Sequence, residues 1–206
     1  YNRRIAYYDS NLRSSLLWEQ KVVGELDAAI ESGQIVPYLQ AQVNQKGEME
    51  GAEVLIRWQH PTEGLLSPGS FLPILERNGQ IAQADCCIWE KACRILARWK
   101  KEGRDKLYLS INISPKDFYF MDVYEKLTSL VEQYGISPQN LRLEITETVM
   151  MDDMDRRLLL IEKLQKYGFL VEMDDFGSGY SSLNMLKDIP VDVLKIDMMF
   201  LYKTKN

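Results

Sequence analysis

The strongest constraint on the fold is an alternation of short apolar runs with helical segments in the second half of the chain. The runs read LYLSINIS, LRLEITE, FLVEMDDFG and VDVLKID, and each is rich in Leu, Ile and Val, as buried strands are. Helical segments separate most of them, over 123–134, 154–167 and roughly 180–186. Strands that alternate with helices in this way predict a parallel sheet with helices packed outside it.

The first third of the chain predicts a helix followed by an antiparallel hairpin. Apolar residues recur at helical spacing up to residue 32, and the runs IVPYLQAQV and MEGAEVLIRW then flank the turn NQKG at 44–47. Gly64 and Pro68 predict a shaped loop. About six strands follow from Ile35, whereas a closed (β/α)8 barrel has eight strands and about 250 residues. We therefore predict an α/β fold, a TIM-like barrel that lacks its last two βα units in this chain.

Charge and hydropathy exclude several classes of protein. The 206 residues are 46% apolar and 27% charged, which is typical of a soluble globular protein. No apolar run reaches the roughly 18 residues of a membrane span, and no signal peptide opens the chain, so we expect no membrane insertion and a cytoplasmic location. The net charge of -5 argues against a nucleic acid polymer as the partner. A phosphate substrate would need a local positive charge.

Polar side chains stand at the end of almost every predicted strand. They are Glu53, Asn112, Glu144, Glu147, Asp174, Asp175, Lys195 and Asp197. In a barrel the carboxyl ends of the strands form the rim on which active sites are built. A ring of acids at that rim would repel itself unless cations neutralised it.

Carboxylate and amide oxygens without a His or Cys partner favour Mg²⁺ or Mn²⁺ over zinc. The adjacent Asp174 and Asp175 make a two-ion site plausible, which is a recurring arrangement for phosphoester cleavage. Each acid could instead be a helix cap or a surface charge. Lys195 interrupts an apolar run and needs a partner or a cavity. A one-metal barrel that abstracts a proton beside a carboxylate is a further alternative, and His60, next to a proline, is predicted to be structural.

The same residues resemble the EAL-domain family, the cyclic di-GMP phosphodiesterases. The resemblance is carried by GAEVLIRWQHPTEGLLSPGSFLPILERNGQI, SINISPKDF, LEITETVM and DDFGSGYSSLNMLKDIPVDVLKID, in order, over roughly 35–201. It implies a barrel with an antiparallel first strand in residues 33–206, after a lead-in and linker helix in 1–32. It also implies hydrolysis of cyclic di-GMP to linear pGpG with two Mg²⁺ or Mn²⁺ ions, in bacterial second-messenger signalling.

The resemblance assigns roles to individual positions. Four residues resemble ligands of the first metal, and they are Glu53, Asn112, Glu144 and Asp174. Asp174 would bridge to a second metal held by Asp175, and Lys195 resembles the lysine that steadies the attacking water and the phosphate. Glu147 resembles the glutamate that holds the DDFGSG loop. Arg57 and Gln40 match residues that meet the substrate.

The chain departs from the family pattern at three points. Val54 replaces an alanine, Ala41 replaces a proline, and a later glutamate and glutamine are absent because the chain stops before them. The last departure leaves an alternative open, a catalytically weak or inactive receptor or scaffold that holds cyclic di-GMP. The first 32 residues loosely resemble the passage that joins a GGDEF or other regulatory domain to an EAL domain. Pairing of two copies through their barrels is a further expectation from the resemblance.

Overall fold

The computed structural model of the chain describes residues 10–150, 153–176 and 189–197. The strands are β1 Ile35–Val43, β2 Met49–His60, β3 Gly64–Leu66, β4 Tyr108–Asn112, β5 Leu141–Thr146, β6 Val171–Phe176 and β7 Val193–Ile196. The helices are α1 Ser10–Glu31, α2 Pro68–Asn78, α3 Ile81–Lys101, α4 Asp117–Phe120, α5 Val123–Tyr134 and α6 Met154–Tyr167. The helix predicted at 180–186 lies outside the described residues.

Local sequence signals explain where several helices begin and end. The Asp122 side chain accepts a hydrogen bond from the backbone N–H of Glu125, which caps the first turn of α5. Gly135 ends α5 with φ 60, a left-handed conformation that glycine adopts without steric cost. Pro68 stands in the first turn of α2, where its missing N–H removes no helical hydrogen bond.

The predicted hairpin is formed by β1 and β2, which pair antiparallel from Ile35 opposite Trp58 to Val43 opposite Met49. Its turn depends on Asn44, whose Oδ1 accepts hydrogen bonds from the N–H groups of Lys46 and Glu48. The hairpin leaves β2 beside β4, and this pair is parallel.

The sheet then continues with parallel pairs in the order β1-β2-β4-β5-β6-β7. Helices α3, α5 and α6 fall between successive strands and pack against the sheet through residues such as Trp89, Leu127 and Ile161. The predicted architecture of an antiparallel first strand followed by parallel βα units is therefore confirmed, and it belongs to the TIM-like barrel class.

One sequence prediction was wrong in the segment between Pro61 and Phe71, which was expected to be only a shaped loop. Gly64–Leu66 forms the short strand β3, paired antiparallel with β2, and α2 begins at Pro68. Three residues are too few to show a strand pattern, and the pairing is specified by the neighbouring strand. His60 is buried and has structural contacts, as predicted: its Nδ1 accepts hydrogen bonds from the N–H groups of Thr62 and Glu63, and its Nε2 lies 2.7 Å from Glu25 Oε2 of α1.

Candidate active site

Three carboxylates from β2, β5 and β6 meet on one face of the sheet, although Glu53 lies in the middle of β2, which continues to His60. Glu53, Glu144 and Asp174 each offer an oxygen, and these oxygens lie within 4.8 Å of one another. Alternate side chains of a strand share a face, so the residues at the ends of neighbouring parallel strands converge. The registers place Asn112 opposite Glu144 and Thr146 opposite Asp174. The structure thus brings three of the predicted acids into one group and sets Asn112 beside them.

Lys195 of β7 lies among these carboxylates. Its Nζ is 2.9 Å from Glu144 Oε1, 3.2 Å from Glu53 Oε2 and 3.3 Å from Asp174 Oδ1. The lysine predicted to need a partner has three, which explains how a charge is accommodated within an apolar run. We refer to Glu53, Glu144, Asp174 and Lys195 as the rim cluster.

Two members of the rim cluster, Glu144 and Lys195, have raised pKa values. Burial raises the pKa of Glu144 to about 8, although the hydrogen bond from Lys195 acts in the opposite direction. Burial acts to lower the pKa of Lys195, but the hydrogen bond to Glu144 and the charges of Glu53 and Asp174 outweigh it, so that this pKa is raised. Lys195 is therefore an ammonium donor near neutral pH and does not serve as a base.

The rim cluster fits a hard divalent cation. Its acidic members offer only carboxylate oxygens, which Mg²⁺ and Mn²⁺ prefer. Glu144 Oε2 is buried and has no hydrogen-bond partner. A buried acceptor without a donor costs free energy, and coordination to a cation would remove that cost. The residues present can thus hold the metal that the sequence predicted.

Asp175 lies next to the rim cluster in a strained part of β6. Its φ is 55, in the left-handed region, and the register with β7 shifts between Met173 and Phe176. Such an irregularity changes the direction of a side chain beside a site. Burial and the charge of Asp174 raise the pKa of Asp175. Asp175 is adjacent to the three converging carboxylates without being one of them.

Glu147 directly follows β5 and begins a short 3-10 helix, Glu147–Met150. Its side chain is buried within the barrel wall rather than facing solvent. Its predicted role was to hold the loop that begins after Asp175. Residues 177–188 lie outside the described residues, so this role stays a prediction.

The two predicted substrate contacts lie on the hairpin. Gln40 of β1 is exposed and pairs in register with Glu53, which places it at the edge of the rim cluster. Arg57 lies four residues after Glu53 on β2, about 13 Å along the strand. Its guanidinium carbon is 5.6 Å from the Tyr38 ring centroid, and NH1 donates to the carbonyl of Ile56. The structure therefore places Gln40 close to the acids and Arg57 further along the same strand.

A cavity of about 570 Å³ adjoins the rim cluster. Its lining includes Glu53, Asn112, Trp89, Lys116 and Asp85. The walls are largely apolar, with a few polar groups, which is the usual character of a ligand pocket. Glu53 of the rim cluster and the neighbouring Asn112 thus line a pocket large enough for a nucleotide-sized ligand.

Sequence reasoning missed a pair of acids near this cavity, of which Asp85 belongs to the lining. Asp85 of α3 and the fully buried Asp117 of α4 lie close together. Burial raises the pKa of Asp117 to about 7, although a hydrogen bond from the Ser114 N–H acts against it. Burial and the charge of Asp117 raise the pKa of Asp85. The signal available in the sequence was an aspartate on the apolar face of α3, between Ile81 and Ile88.

Sequence reasoning also missed a second polar layer beneath the rim cluster. Ser110, Arg142 and Glu172 each stand two residues before a predicted rim residue, and so on the same face of their strands. The period of two in LRLEIT and VEMDDF contained this information. We refer to Ser110, Arg142 and Glu172 as the inner layer.

Among the described helices, none has the length and apolar character needed to cross a membrane.

Two relatives from Pseudomonas aeruginosa are similar in sequence. The chain is 34% identical over 196 residues to the bifunctional diguanylate cyclase/cyclic di-GMP phosphodiesterase MucR, covering 95% of this chain and 29% of that protein. It is 37% identical over 155 residues to the cyclic di-GMP phosphodiesterase NbdA, covering 75% of this chain and 20% of that protein. The chain thus spans less than a third of either relative.

Solved structures agree with the fold. The PaMucR phosphodiesterase in complex with c-di-GMP superposes with a TM-score of 0.82 at 35% identity, covering 89% of this chain and 74% of that chain. The EAL domain of FimX, at 20% identity and a TM-score of 0.79, shares the fold. The family model for the EAL domain matches residues 23–206. This chain therefore belongs to the EAL domain family.

Proposed function

We propose that this chain is the catalytic domain of a cyclic di-GMP phosphodiesterase, which hydrolyses one phosphodiester bond of cyclic di-GMP to give linear pGpG. The observation that carries the proposal is the rim cluster, in which three carboxylates and an ammonium group meet beside a nucleotide-sized cavity. Membership of a family that includes named cyclic di-GMP phosphodiesterases supports the choice of substrate.

In this proposal two Mg²⁺ or Mn²⁺ ions bind at the rim. Glu53, Asn112, Glu144 and Asp174 hold the first ion, and Asp174 and Asp175 hold the second. Divalent ions in such a site supply Lewis acidity, which neutralises charge on the phosphate and favours ionisation of the attacking water. The unpartnered Glu144 Oε2 and the positions of Asn112 and Asp175 beside the acids support this ligand set.

Lys195 has a separate task. Its raised pKa keeps it protonated, so its ammonium donates hydrogen bonds to the acids and, with substrate present, to the attacking water and the phosphate. Arg57 supplies a further positive charge for the part of the substrate that lies along the hairpin. Gln40 contacts the substrate from its position opposite Glu53. Glu147 acts indirectly, by holding the loop after Asp175 in a shape that allows reaction.

The proposal extends to the whole protein. The barrel domain is taken as residues 33–206, and α1 links it to a regulatory domain on the amino-terminal side. Trp18 Nε1 of α1 donates to the Ser70 carbonyl of α2, and Leu26 of α1 is completely buried, so α1 is firmly attached to the barrel. We propose a cytoplasmic location. We also propose that two barrels pair, and analytical ultracentrifugation of the purified chain would test this pairing.

Incubation of the chain with cyclic di-GMP in Mg²⁺, in Mn²⁺ and in EDTA, with chromatographic detection of pGpG, tests the activity. We expect pGpG only with metal. Glu53→Gln should remove the activity, whereas Glu162→Gln, a matched loss of a carboxylate on the exposed face of α6, should leave it unchanged. Binding of cyclic di-GMP by the wild-type chain without pGpG formation would overturn the proposal in favour of a receptor.

A further inference from the structure

The inner layer contains an ion pair between a partly exposed Arg142 and a buried Glu172. Ser110 Oγ donates to Glu172 Oε2 at 3.0 Å, and Arg142 NH1 donates to Glu172 Oε1 at 2.9 Å. The Glu172 side chain is 2% exposed, and both of its oxygens have a donor. Buried ion pairs are poor stabilisers because desolvation offsets most of their attraction. This pair therefore calls for an explanation other than stability.

The guanidinium of Arg142 is held on a second side by an aromatic ring. Its central carbon lies 3.3 Å from the Tyr108 ring centroid, in a cation-π arrangement. The Tyr108 ring itself lies against Gly51, where an added Cβ would come within 2.5 Å of the ring. Gly51 thus makes room for the ring, and the ring together with Glu172 determines where the guanidinium lies.

Arg142 has a competing partner within reach. It precedes Glu144 by two residues on the same face of β5, a separation of about 7 Å between their Cα atoms. Glu144 Oε2 is buried and has no hydrogen-bond partner, so it would accept a guanidinium. Glu144 and Glu172 are opposite each other in the parallel register of β5 and β6. Glu172 is therefore the group that competes with Glu144 for Arg142.

We propose that Glu172 is a positioning residue that holds the Arg142 guanidinium in the inner layer, away from Glu144, so that the guanidinium does not occupy the carboxylate oxygens that would bind divalent cations. The positive charge of Arg142 is then neutralised within the inner layer. This inference rests on the proposed function, because it concerns the metal affinity of the same site. It assigns a role to two charged residues that take no part in the ligand set itself.

Titration of the full chain with Mn²⁺ alone, followed by electron paramagnetic resonance, tests the proposal without substrate or turnover. Glu172→Gln keeps the shape and removes the charge, and we expect it to weaken Mn²⁺ binding about ten-fold, at the lower end of the range for residues that support metal ligands. Arg142→Gln should bind Mn²⁺ at least as tightly as the wild type. The double variant Arg142→Gln/Glu172→Gln should recover wild-type affinity, because both charges are removed together.

Recovery in the double variant separates positioning by charge from a structural role, since a structural role predicts that the double variant binds no better than Glu172→Gln. Glu162→Gln, on the outside of α6, is the matched control and should bind Mn²⁺ as the wild type does. If Glu172→Gln does not fold, the Mn²⁺ affinities of Arg142→Gln and of the double variant still test the inference. A double variant that binds Mn²⁺ about ten-fold more weakly than the wild type overturns it. Unchanged Mn²⁺ affinity in Glu172→Gln overturns this inference but leaves the proposed function intact. A wild-type chain that binds no Mn²⁺ overturns both the metal assignment of the proposed function and this inference.

Discussion

Replacement of Lys195 by methionine separates the two tasks of this residue, holding the rim acids together and supporting hydrolysis. Its Nζ lies within 3.3 Å of three carboxylates. The side chain of Glu144 is fully buried, and those of Lys195, Glu53 and Asp174 are each less than a quarter exposed. The methionine side chain is similar in length to lysine but carries no charge, so in Lys195→Met the three acids would be left without the ammonium group that they share.

The expected loss of stability without metal is about 3 kcal/mol. A hydrogen bond to a charged group contributes about 1.5–3 kcal/mol, and removal of one partner of a buried ion pair costs about 3–5 kcal/mol. The lower part of this range applies because Glu144 can take up a proton once the ammonium is gone. Its pKa of about 8 already favours that response. The loss should therefore be larger at pH 9 than at pH 6.

Urea unfolding in EDTA, measured by tryptophan fluorescence for wild type and Lys195→Met, gives the free energy of unfolding directly. Lys166→Met, on the exposed surface of α6, is the matched control and should change it by less than about 0.5 kcal/mol. Saturating Mn²⁺ should reduce the difference in the free energy of unfolding between Lys195→Met and wild type, since a bound cation replaces the missing charge. Hydrolysis should remain absent in Lys195→Met even with Mn²⁺. A loss below about 1 kcal/mol in EDTA would show that the three short contacts contribute no more than surface pairs, and would refute this reasoning.

Three further predictions concern the acids. Asp174→Asn should abolish pGpG formation and weaken Mn²⁺ binding, because it removes a carboxylate that is proposed to hold both ions; turnover near that of wild type would contradict the two-metal assignment. Glu147→Ala should lower kcat while leaving most of the affinity for cyclic di-GMP in calorimetry, and equal losses of both would argue against a loop-holding role. The free energy of unfolding should fall by about 2–3 kcal/mol between pH 5 and pH 8 through Asp117, whose folded-state pKa of about 7 lies above its ordinary value of 3.8. The contribution of Asp117 to the free energy of unfolding is fully present below the ordinary pKa and is lost as the pH rises through 7. Asp117→Asn should therefore make the free energy of unfolding less dependent on pH; an equally steep dependence in that variant would exclude Asp117 as the cause.

Local patterns were sufficient for the elements with strong periodicity. The predicted helices at 123–134 and 154–167 agree with α5 and α6, and the four apolar runs contain β4, β5, β6 and β7. Each of these elements carries its own period or cap, such as Asp122 before α5. The helices α2 and α3 were not identified individually, and β3 was assigned to a loop. A three-residue strand is specified by pairing with β2, which no local pattern contains.

The candidate site likewise contains residues that the sequence pattern identified and residues that it did not. The rim residues could be found from the sequence because each is a charged residue in a recognisable apolar strand, and the motif DDFGSGYSSL led to the family. The inner layer was overlooked, although the alternation in LRLEIT places Arg142 on the same face as Glu144. Recognising its meaning required the contact between Arg142 and Glu172, which are 30 residues apart. Such a contact depends on which strands are neighbours and in what register.

The sequence by itself determined the first hairpin, the later alternation of strands and helices, the family, and the set of polar residues in the strands, because all of these follow from short-range periodicity and from motifs. The tertiary structure alone decided how those residues act on one another. It places Lys195 within 3.2 Å of Glu53, a residue 142 positions away, and buries Glu144 so that its pKa rises to about 8. Distance, burial and charge pairing arise from strand register and packing, and these are properties of the assembled sheet and not of any single segment.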